Sequence, residues 1–359
     1  MLTTRNSLKP LFIPRRWASI DYLVSSIPPL PQPEKIPKVH TDTQPKQSTP
    51  TANAWMKQLT SPAKLNDYFR LNDYERFTHP QITKSQTFFN KSKVELEWTL
   101  ADYDEIPDVK YERLAKERQQ RYDDMDPFNK TEYDETHVNS KKSFGINPKH
   151  LRILPEILIM GHTNTGKSSL VNSLLVGNKR QVNKSAELAY VSARAGYTKT
   201  LNCFNIANAL RFVDSPGYGK FGDDKQGKAV IDYISQRNQL KKALVLIDSV
   251  AKVREEDTYI IEHLVAEGVP FDLVFTKVDE IIAQFIPRKT LKAGLEPDVE
   301  SININIIDYY QDILEESNIR EMALSPRLFF TNAKVNKYVH ETFGAKEIRC
   351  SILENCGLL

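Results

Sequence analysis

The sequence predicts an α/β fold in which a doubly wound, mostly parallel sheet carries helices on both faces. First, six short apolar runs have the length of buried strands. They lie near residues 156–160, 200–206, 210–214, 243–248, 271–276 and 328–331. Second, stretches with helical spacing separate these runs. Third, short polar motifs follow several of the runs directly, and open α/β sheets bind their ligands at the carboxyl ends of the strands.

The first strand-like run leads into a glycine-rich motif. Residues 161–169 read G-H-T-N-T-G-K-S-S and fit G-x-x-x-x-G-K-[ST], the phosphate-binding loop. A helical pattern follows, so backbone N–H groups of the loop and the helix are expected to point at phosphates. This context disfavours a chance glycine-rich turn. We expect Lys167 to reach the outer phosphates and Ser168 to give an oxygen to Mg²⁺. The candidate ligand-binding residues here are Gly161, Asn164, Thr165, Gly166, Lys167, Ser168 and Ser169.

A second motif, D-x-x-G, begins at the end of the run at residues 210–214. Asp214 is expected to hold Mg²⁺, through water. The N–H group of Gly217 is expected to meet the γ-phosphate and to sense its loss on hydrolysis. A plain turn at Pro216 and Gly217 is the alternative, but the order of the motifs along the chain argues against it.

A third motif, T-K-V-D at residues 276–279, follows the run at 271–276. The carboxylate of Asp279 can accept hydrogen bonds from both N1–H and the 2-amino group of guanine. Adenine has neither donor there and would leave the carboxylate unpaired in a dry pocket. The aliphatic stem of Lys277 can lie over the base, and Thr276 stands where many such proteins have Asn. Downstream of a phosphate loop, this motif indicates GTP rather than ATP.

Together the motifs resemble those of EngB-type GTPases, within the TrmE-Era-EngA-EngB-Septin-like group of P-loop GTPases. Residues 161–169 are similar to the family's G-R-S-N-V-G-K-S-S, and D-S-P-G-Y-G at 214–219 is similar to its D-x-P-G-Y-G. A-G-Y-T-K-T-L-N at 195–202 looks like its P-G-R-T-Q-x-x-N, and T-N-A-K at 331–334 looks like the last guanine motif. The resemblance covers residues 150–350 and implies GTP or GDP and Mg²⁺ as ligands.

The resemblance also implies roles for individual residues. Thr198 would be the Mg²⁺-sensing threonine of the first switch. The expected metal ligands are Ser168, Thr198 and Asp214, and the expected catalytic residues are Lys167, Thr198 and Gly217. The expected contacts on the base side are Thr276, Lys277, Asp279, Asn332 and Ala333. The chain departs from the family pattern at three positions: the family has Arg where this chain has Tyr197 and Val250, and usually Ser where it has Asn332. Despite the last departure, the backbone N–H of Ala333 can still contact the guanine base.

Two residues bear on the rate of hydrolysis. Tyr218 follows the D-x-x-G motif where many small GTPases have a glutamine that orients water. A phenol cannot do this in the same way, so we expect slow hydrolysis without a partner or a monovalent ion. In related GTPases of the group, an asparagine at the position of Asn164 goes with K⁺ bound near the phosphates. The alternative is that Asn164 satisfies neighbouring backbone groups.

Composition limits the class of protein. With 359 residues, 40% of them hydrophobic, the chain can bury the core of one or two domains. Its net charge of +3 gives weak support for contact with RNA. Three scattered cysteines argue against a disulfide framework and against a zinc site with paired ligands. No apolar run reaches the roughly 18 residues that a membrane span requires.

The amino-terminal composition predicts an organellar address. Residues 1–20 carry four basic residues, several hydroxyl residues and no acidic residue, which is typical of a mitochondrial transit peptide. Pro10 and Pro14 interrupt the helix that such a peptide forms, and a flexible basic tail is the alternative. We predict a targeting peptide at 1–20, a disordered proline-rich linker at 21–55, a helical, highly charged extension at 56–145 and a GTPase domain at 146–359.

The leading hypothesis is a GTP-binding and GTP-hydrolysing switch in the mitochondrial matrix. The resemblance alone implies a ribosomal role: the protein would assist assembly of the mitochondrial large ribosomal subunit. Its expected partner is that subunit or its rRNA. We expect a monomer without a membrane span. The alternative is a nucleotide-gated protein-docking factor with negligible turnover. An ATPase or kinase is disfavoured by the T-K-V-D motif.

Overall fold

The computed structural model describes residues 54–70, 74–140, 143–175, 200–219, 224–292, 295–322 and 325–359. The predicted targeting peptide and nearly all of the predicted linker lie outside the described residues. Thr198, the predicted Mg²⁺-sensing threonine of the first switch, also lies outside them.

Within the described residues, seven strands form one sheet in the order β1-β3-β4-β2-β5-β6-β7. The strands are β1 (Val94–Leu100), β2 (Glu156–Gly161), β3 (Leu201–Ile206), β4 (Leu210–Asp214), β5 (Leu240–Asp248), β6 (Phe271–Thr276) and β7 (Arg327–Phe330). The strands from β4 to β7 in this order are parallel, whereas β3 is antiparallel to both of its neighbours. The predicted doubly wound, mostly parallel α/β fold is confirmed, and each of the six predicted strands is present.

Helices cover both faces of the sheet. The described α-helices are α1 (Pro62–Tyr68), α2 (His79–Lys91), α3 (Pro107–Asp123), α4 (Glu132–Asn139), α5 (Lys167–Leu175), α6 (Asp224–Gln236), α7 (Glu255–Ala266), α8 (Val278–Phe285), α9 (Arg288–Lys292), α10 (Val299–Glu316) and α11 (Ala345–Asn355). Alternate residues of β2 enter two separate cores: Leu158 packs with α6, α7, α8 and α10, and Ile157 packs with α2, α5 and α11. Two-sided burial explains why β2 reads as a continuous apolar run. None of the described helices is long and apolar enough to cross a membrane.

Strand β1 lies in the segment that the sequence analysis assigned to helices. It pairs antiparallel with β3 at the edge of the sheet, with an irregularity between Leu96 and Trp98. Its sequence, V-E-L-E-W-T-L, alternates apolar and polar residues with the period of a half-buried strand. That signal was available in the sequence, so the expectation of helices alone was wrong at this position.

A buried cluster of charges joins this segment to the amino ends of the parallel strands. Glu156 of β2 accepts hydrogen bonds from Nε and Nη2 of Arg237, both at 2.6 Å. Arg237 also donates from Nη1 to Asp108 of α3 at 2.7 Å, and Arg211 of β4 donates to Glu97 of β1 at 2.8 Å. Each charge is paired, which a buried ion requires, so β1 and α3 are tied to the sheet far from the phosphate-loop edge.

Candidate nucleotide-binding site

The phosphate loop connects β2 to α5 at the edge where the parallel strands end. Asn164 and Gly166 have left-handed backbone, with φ of 65° and 93°. Asparagine tolerates this region better than most residues, and glycine adopts it without steric cost. Thr165 Oγ1 donates to the carbonyl of His162 at 2.8 Å and closes the turn. The free N–H groups of the first turn of α5 are therefore available to an anion.

Lys167, the first residue of α5, is buried against the loop that precedes it. Its Nζ donates to the carbonyl oxygens of Gly161 at 2.7 Å and of His162 at 3.0 Å. Burial lowers the pKa of Lys167 to about 8, against the opposing influence of Asp214 and Asp257. Two neutral carbonyl oxygens thus hold the ammonium in a poorly solvated position. An anion such as a phosphate would bind this ammonium more strongly than the two carbonyls do.

Asp214, at the end of β4, is buried and has an unsatisfied oxygen. Within the described residues, its Oδ1 has no hydrogen-bond partner. Burial raises the pKa of Asp214 to about 7, and the charge of Lys167 opposes that rise. A buried carboxylate oxygen without a donor fits a hydrated Mg²⁺, which prefers oxygen ligands and retains several waters.

Gly217 brings the end of the D-x-x-G motif against the phosphate loop. A β-carbon at this position would lie 2.9 Å from Lys167 Nζ and 2.9 Å from Thr163 Cγ2, so a larger residue would not fit. The carbonyl of Tyr218 accepts a hydrogen bond from the N–H of Thr163 at 3.0 Å. The predicted neighbours Lys167 and Gly217 are therefore close together.

The hydroxyl of Tyr218 is directed to helix α7. It donates to Asp257 Oδ1 at 2.7 Å, while Asp257 Oδ2 accepts from the N–H of Arg254 at 3.0 Å. Burial raises the pKa of both Tyr218 and Asp257. The imidazole of His162 packs edge-on against the Tyr218 ring, with centroids 6.1 Å apart. Tyr218 thus links the loop to α7.

The base-side motif joins the phosphate loop through Thr276. Its Oγ1 donates to the carbonyl of Thr165 at 2.7 Å and also lies 3.2 Å from the carbonyl oxygen of Ile247. Lys277 follows in left-handed backbone, with φ of 56°, and its Nζ pairs with Asp248 Oδ2 at 2.6 Å. This pair anchors the end of the Lys277 side chain.

Asp279 lies in the first turn of α8 and is mostly buried. Burial raises its pKa. Its backbone carbonyl accepts a hydrogen bond from Asn336 Nδ2 at 2.8 Å, and its Oδ2 lies 3.4 Å from the same nitrogen. Asn336 was not among the predicted site residues, because it belongs to no sequence motif and reaches Asp279 only through the fold.

The predicted last base contact is divided between two residues. The side chain of Asn332 is fully used within its own loop: Nδ2 donates to the carbonyls of Lys334 and Glu341, and Oδ1 accepts from the N–H of Phe343. The neighbouring Ala333 is exposed. The Asn332 side chain therefore shapes the loop, and the backbone of Ala333 is the part left to meet a ligand; both contacts with the base stay predictions.

Comparisons with known proteins agree with this arrangement. Residues 156–277 match the model of the family described as "50S ribosome-binding GTPase". The chain is 30% identical to MIOREX complex component 8 of Saccharomyces cerevisiae over 332 residues, which cover 91% of this chain and 88% of that protein. It is 39% identical to "Probable GTP-binding protein EngB" of Streptococcus pyogenes serotype M5 over 133 residues, which cover 36% of this chain and 63% of that protein.

Solved structures show weaker overall likeness. Aquifex aeolicus Era bound to GDP and aluminium fluoride is 21% identical, with a TM-score of 0.37 and coverage of 57% of both chains. A structure titled as a probable GTP-binding protein EngB is 15% identical, with a TM-score of 0.30 and coverage of 56% of this chain and 98% of that one.

Proposed function

We propose a function from one established premise: this chain belongs to the EngB-like family of P-loop GTPases. In our proposal it is a GTP-binding and GTP-hydrolysing switch that assists mitochondrial large ribosomal subunit assembly or mitochondrial translation. The observation that carries the nucleotide part is the hydrogen bond of 2.7 Å from Thr276 to Thr165, because it puts the base motif and the phosphate loop at one edge.

The phosphate end supports GTP with Mg²⁺ as the ligand. Lys167 would exchange its two carbonyl partners for the outer phosphates. Ser168, Asp214 and Thr198 would hold Mg²⁺, which neutralises charge on the phosphates when bound. The unsatisfied Asp214 Oδ1 is the observation that favours a cation in this position.

The residues near the γ-phosphate support slow intrinsic turnover. Since the hydroxyl of Tyr218 is bonded to Asp257, it is not directed at an attacking water. Among the described residues, Lys167 supplies positive charge and the loop N–H groups supply hydrogen-bond donors; both position the phosphates without orienting water. We therefore propose that a partner surface or K⁺ near Asn164 raises the rate.

The ribosomal and mitochondrial parts rest on different support. The matching family is described as ribosome-binding, and the composition of residues 1–20 favours import into the mitochondrial matrix. The proposed partner is the mitochondrial large ribosomal subunit or its rRNA.

Sedimentation tests this proposal. Full-length tagged protein in an organelle lysate is run on a gradient with a non-hydrolysable GTP analogue or with GDP. The Lys167→Ala variant, which should not bind nucleotide tightly, is the control. Co-migration with the large subunit only in the GTP form is the expected result. Free migration in both states would contradict the ribosomal role.

One observation favours the alternative of a protein-docking factor. The loop between α3 and α4 exposes Met125 and Phe128, and Tyr133 of α4 is also exposed; Phe128 is 98% accessible. Apolar groups mark contact sites when they form a contiguous exposed patch, so a docking partner would be expected at this loop. Turnover of GTP with purified large subunits separates the hypotheses, since a docking factor would show negligible stimulation.

A further inference from the structure

We propose that residues 54–69, called the strap below, position the base-recognition loop and thereby contribute to guanine discrimination. The strap consists of a short 3₁₀ turn at Ala54–Gln58, helix α1 and Phe69. It lies outside the region of motifs and outside the residues matched by the family model. The inference rests on the proposed binding of guanine nucleotides by Asp279.

Asp279 is held by its neighbour in the fold, Asn336. Asn336 Nδ2 holds the backbone carbonyl of Asp279, so a shift of Asn336 would shift the turn that carries the carboxylate. Asn336 is held in turn by its own loop, because its Oδ1 accepts from the N–H groups of Tyr338 and Val339, both at 2.8 Å. Residues 336–339 therefore help to set the position of Asp279, together with the hydrogen bond from the N–H of Val278 to the carbonyl of Thr331 at 3.3 Å.

The strap packs against these loop residues. Trp55 is only 6% exposed, and its ring lies 6.3 Å from the ring of Tyr338, measured between centroids. Val339 is 5% exposed and belongs to the same apolar cluster as Trp55 and Leu59. Deleting the Trp55 ring would open a cavity beside the loop, which would relax toward it.

A second strap contact fixes the strand that leads into the loop. Asn66 Oδ1 accepts from the N–H of Phe330 at 2.7 Å, and Asn66 Nδ2 donates to the carbonyl of Phe330 at 3.3 Å. One amide thus occupies both backbone groups of Phe330, the last residue of β7. Thr331 and Asn332 follow directly, so the loop is held at its entry as well as at its turn.

The strap is itself attached to α10, by Asn303 and by Gln311, whose Nε2 donates to Tyr68 Oη at 3.2 Å. Asn303 Oδ1 accepts from the N–H of Thr60 at 2.7 Å, and Asn303 Nδ2 donates to the carbonyl of Gln58 at 3.1 Å. Asn303 is partly exposed, so its replacement removes these two hydrogen bonds with little loss of core packing. Trp55, Asn66 and Asn303 are positioning residues in this scheme, since each acts through the loop.

The test compares affinities of the full-length protein for GDP and IDP, by displacement of a fluorescent guanine nucleotide. Hypoxanthine lacks the 2-amino group, so IDP loses one of the two hydrogen bonds to Asp279. We expect wild-type protein to prefer GDP. Trp55→Ala should reduce the GDP-to-IDP preference by about threefold or more, since small misplacements of a binding group have large effects. Trp55→Phe, which keeps an aromatic ring against Tyr338, should largely restore it.

Trp98→Ala is the matched control. It removes the same side chain from a buried position in β1, at the opposite edge of the sheet from β7. A purely structural effect would lower thermal stability in both alanine variants and leave both preferences unchanged. If Trp55→Ala does not fold, Asn303→Ala carries the test with the same expected direction.

The outcomes separate the two levels of inference. Equal binding of GDP and IDP by wild-type protein would refute the guanine assignment of Asp279 and the role of the strap with it. If the wild-type preference for GDP persists unchanged in Trp55→Ala and Asn303→Ala, the proposed role of the strap is refuted and the guanine assignment of Asp279 stands. A loss of preference in Trp98→Ala equal to that in Trp55→Ala would also overturn it.

Discussion

The phosphate end and the base end of the candidate site are held in different ways. At the phosphate end, Lys167 is bonded to Gly161 and His162, which lie six and five residues before it, respectively. At the base end, Asp279 is held by Asn336, 57 residues later in the chain. The loop that carries Asn336 is packed in turn against Trp55, from the far amino-terminal side.

This difference separates two properties of a nucleotide site. Phosphate binding needs a local turn and a helix terminus, both of which a short sequence encodes. Base recognition needs one carboxylate at a defined position, and long-range contacts supply that position. Changes at the phosphate end should therefore remove binding of every nucleotide, whereas changes at the base end should alter which nucleotide is bound.

The largest effect is expected for Lys167→Ala. The change removes the buried ammonium that faces the expected phosphates, and affinity for GTP and GDP should fall by about 100-fold or more. Isothermal titration measures it, with circular dichroism as the check on folding. Nearly unchanged affinity for both nucleotides would show that the phosphates bind elsewhere.

A change of specificity is expected for Asp279→Asn. The amide offers a donor where the carboxylate accepts, so GDP binding should weaken and XDP binding should strengthen, each by about tenfold or more. Competition between the two nucleotides measures the ratio. Retained preference for GDP would contradict the assignment of base recognition to Asp279, because the base would then be recognised by other groups.

The sequence predicts the two ends unequally for a physical reason. The phosphate loop, Asp214 and the six strands follow from local motifs and apolar runs. Asn336 and Trp55 have no pattern of their own and acquire their position only when β7, α10 and the strap assemble. Strand β1 had a readable alternation, but its surroundings of helical and charged segments obscured it.

A pH effect on stability is expected from Asp214. Its pKa is raised to about 7 in the folded, ligand-free protein, against about 3.9 in an unfolded chain. Between these values the native state holds more protons, so this group makes unfolding free energy fall as pH rises from about 4 to 7. Asp214→Asn should remove this fall in the unfolding free energy, which is on the order of a few kcal/mol. Urea unfolding without nucleotide or Mg²⁺, at pH 5 and pH 7.5, measures it; parallel profiles for the two proteins would contradict the burial argument.

The smallest effect is expected from the monovalent ion. If K⁺ binds near Asn164, hydrolysis should be about tenfold faster in K⁺ than in Na⁺ at equal ionic strength, and Asn164→Ala should abolish the difference. Multiple-turnover phosphate release gives both rates. Equal rates in the two salts would leave Asn164, which is exposed with φ of 65°, as a loop residue only.

The most direct test of the central claim, that this chain binds guanine nucleotides through one joined phosphate and base site, is a competition between GDP and ADP. Fluorescent GDP bound to the full-length protein with Mg²⁺ is displaced by each nucleotide in turn. Because both ligands carry the same diphosphate, the phosphate end contributes equally to the two affinities. Any difference in affinity between GDP and ADP therefore comes from the base end. We predict displacement by GDP at concentrations about 100-fold lower or more than by ADP. Equal displacement would contradict the assignment of Asp279 and the guanine-nucleotide switch built on it.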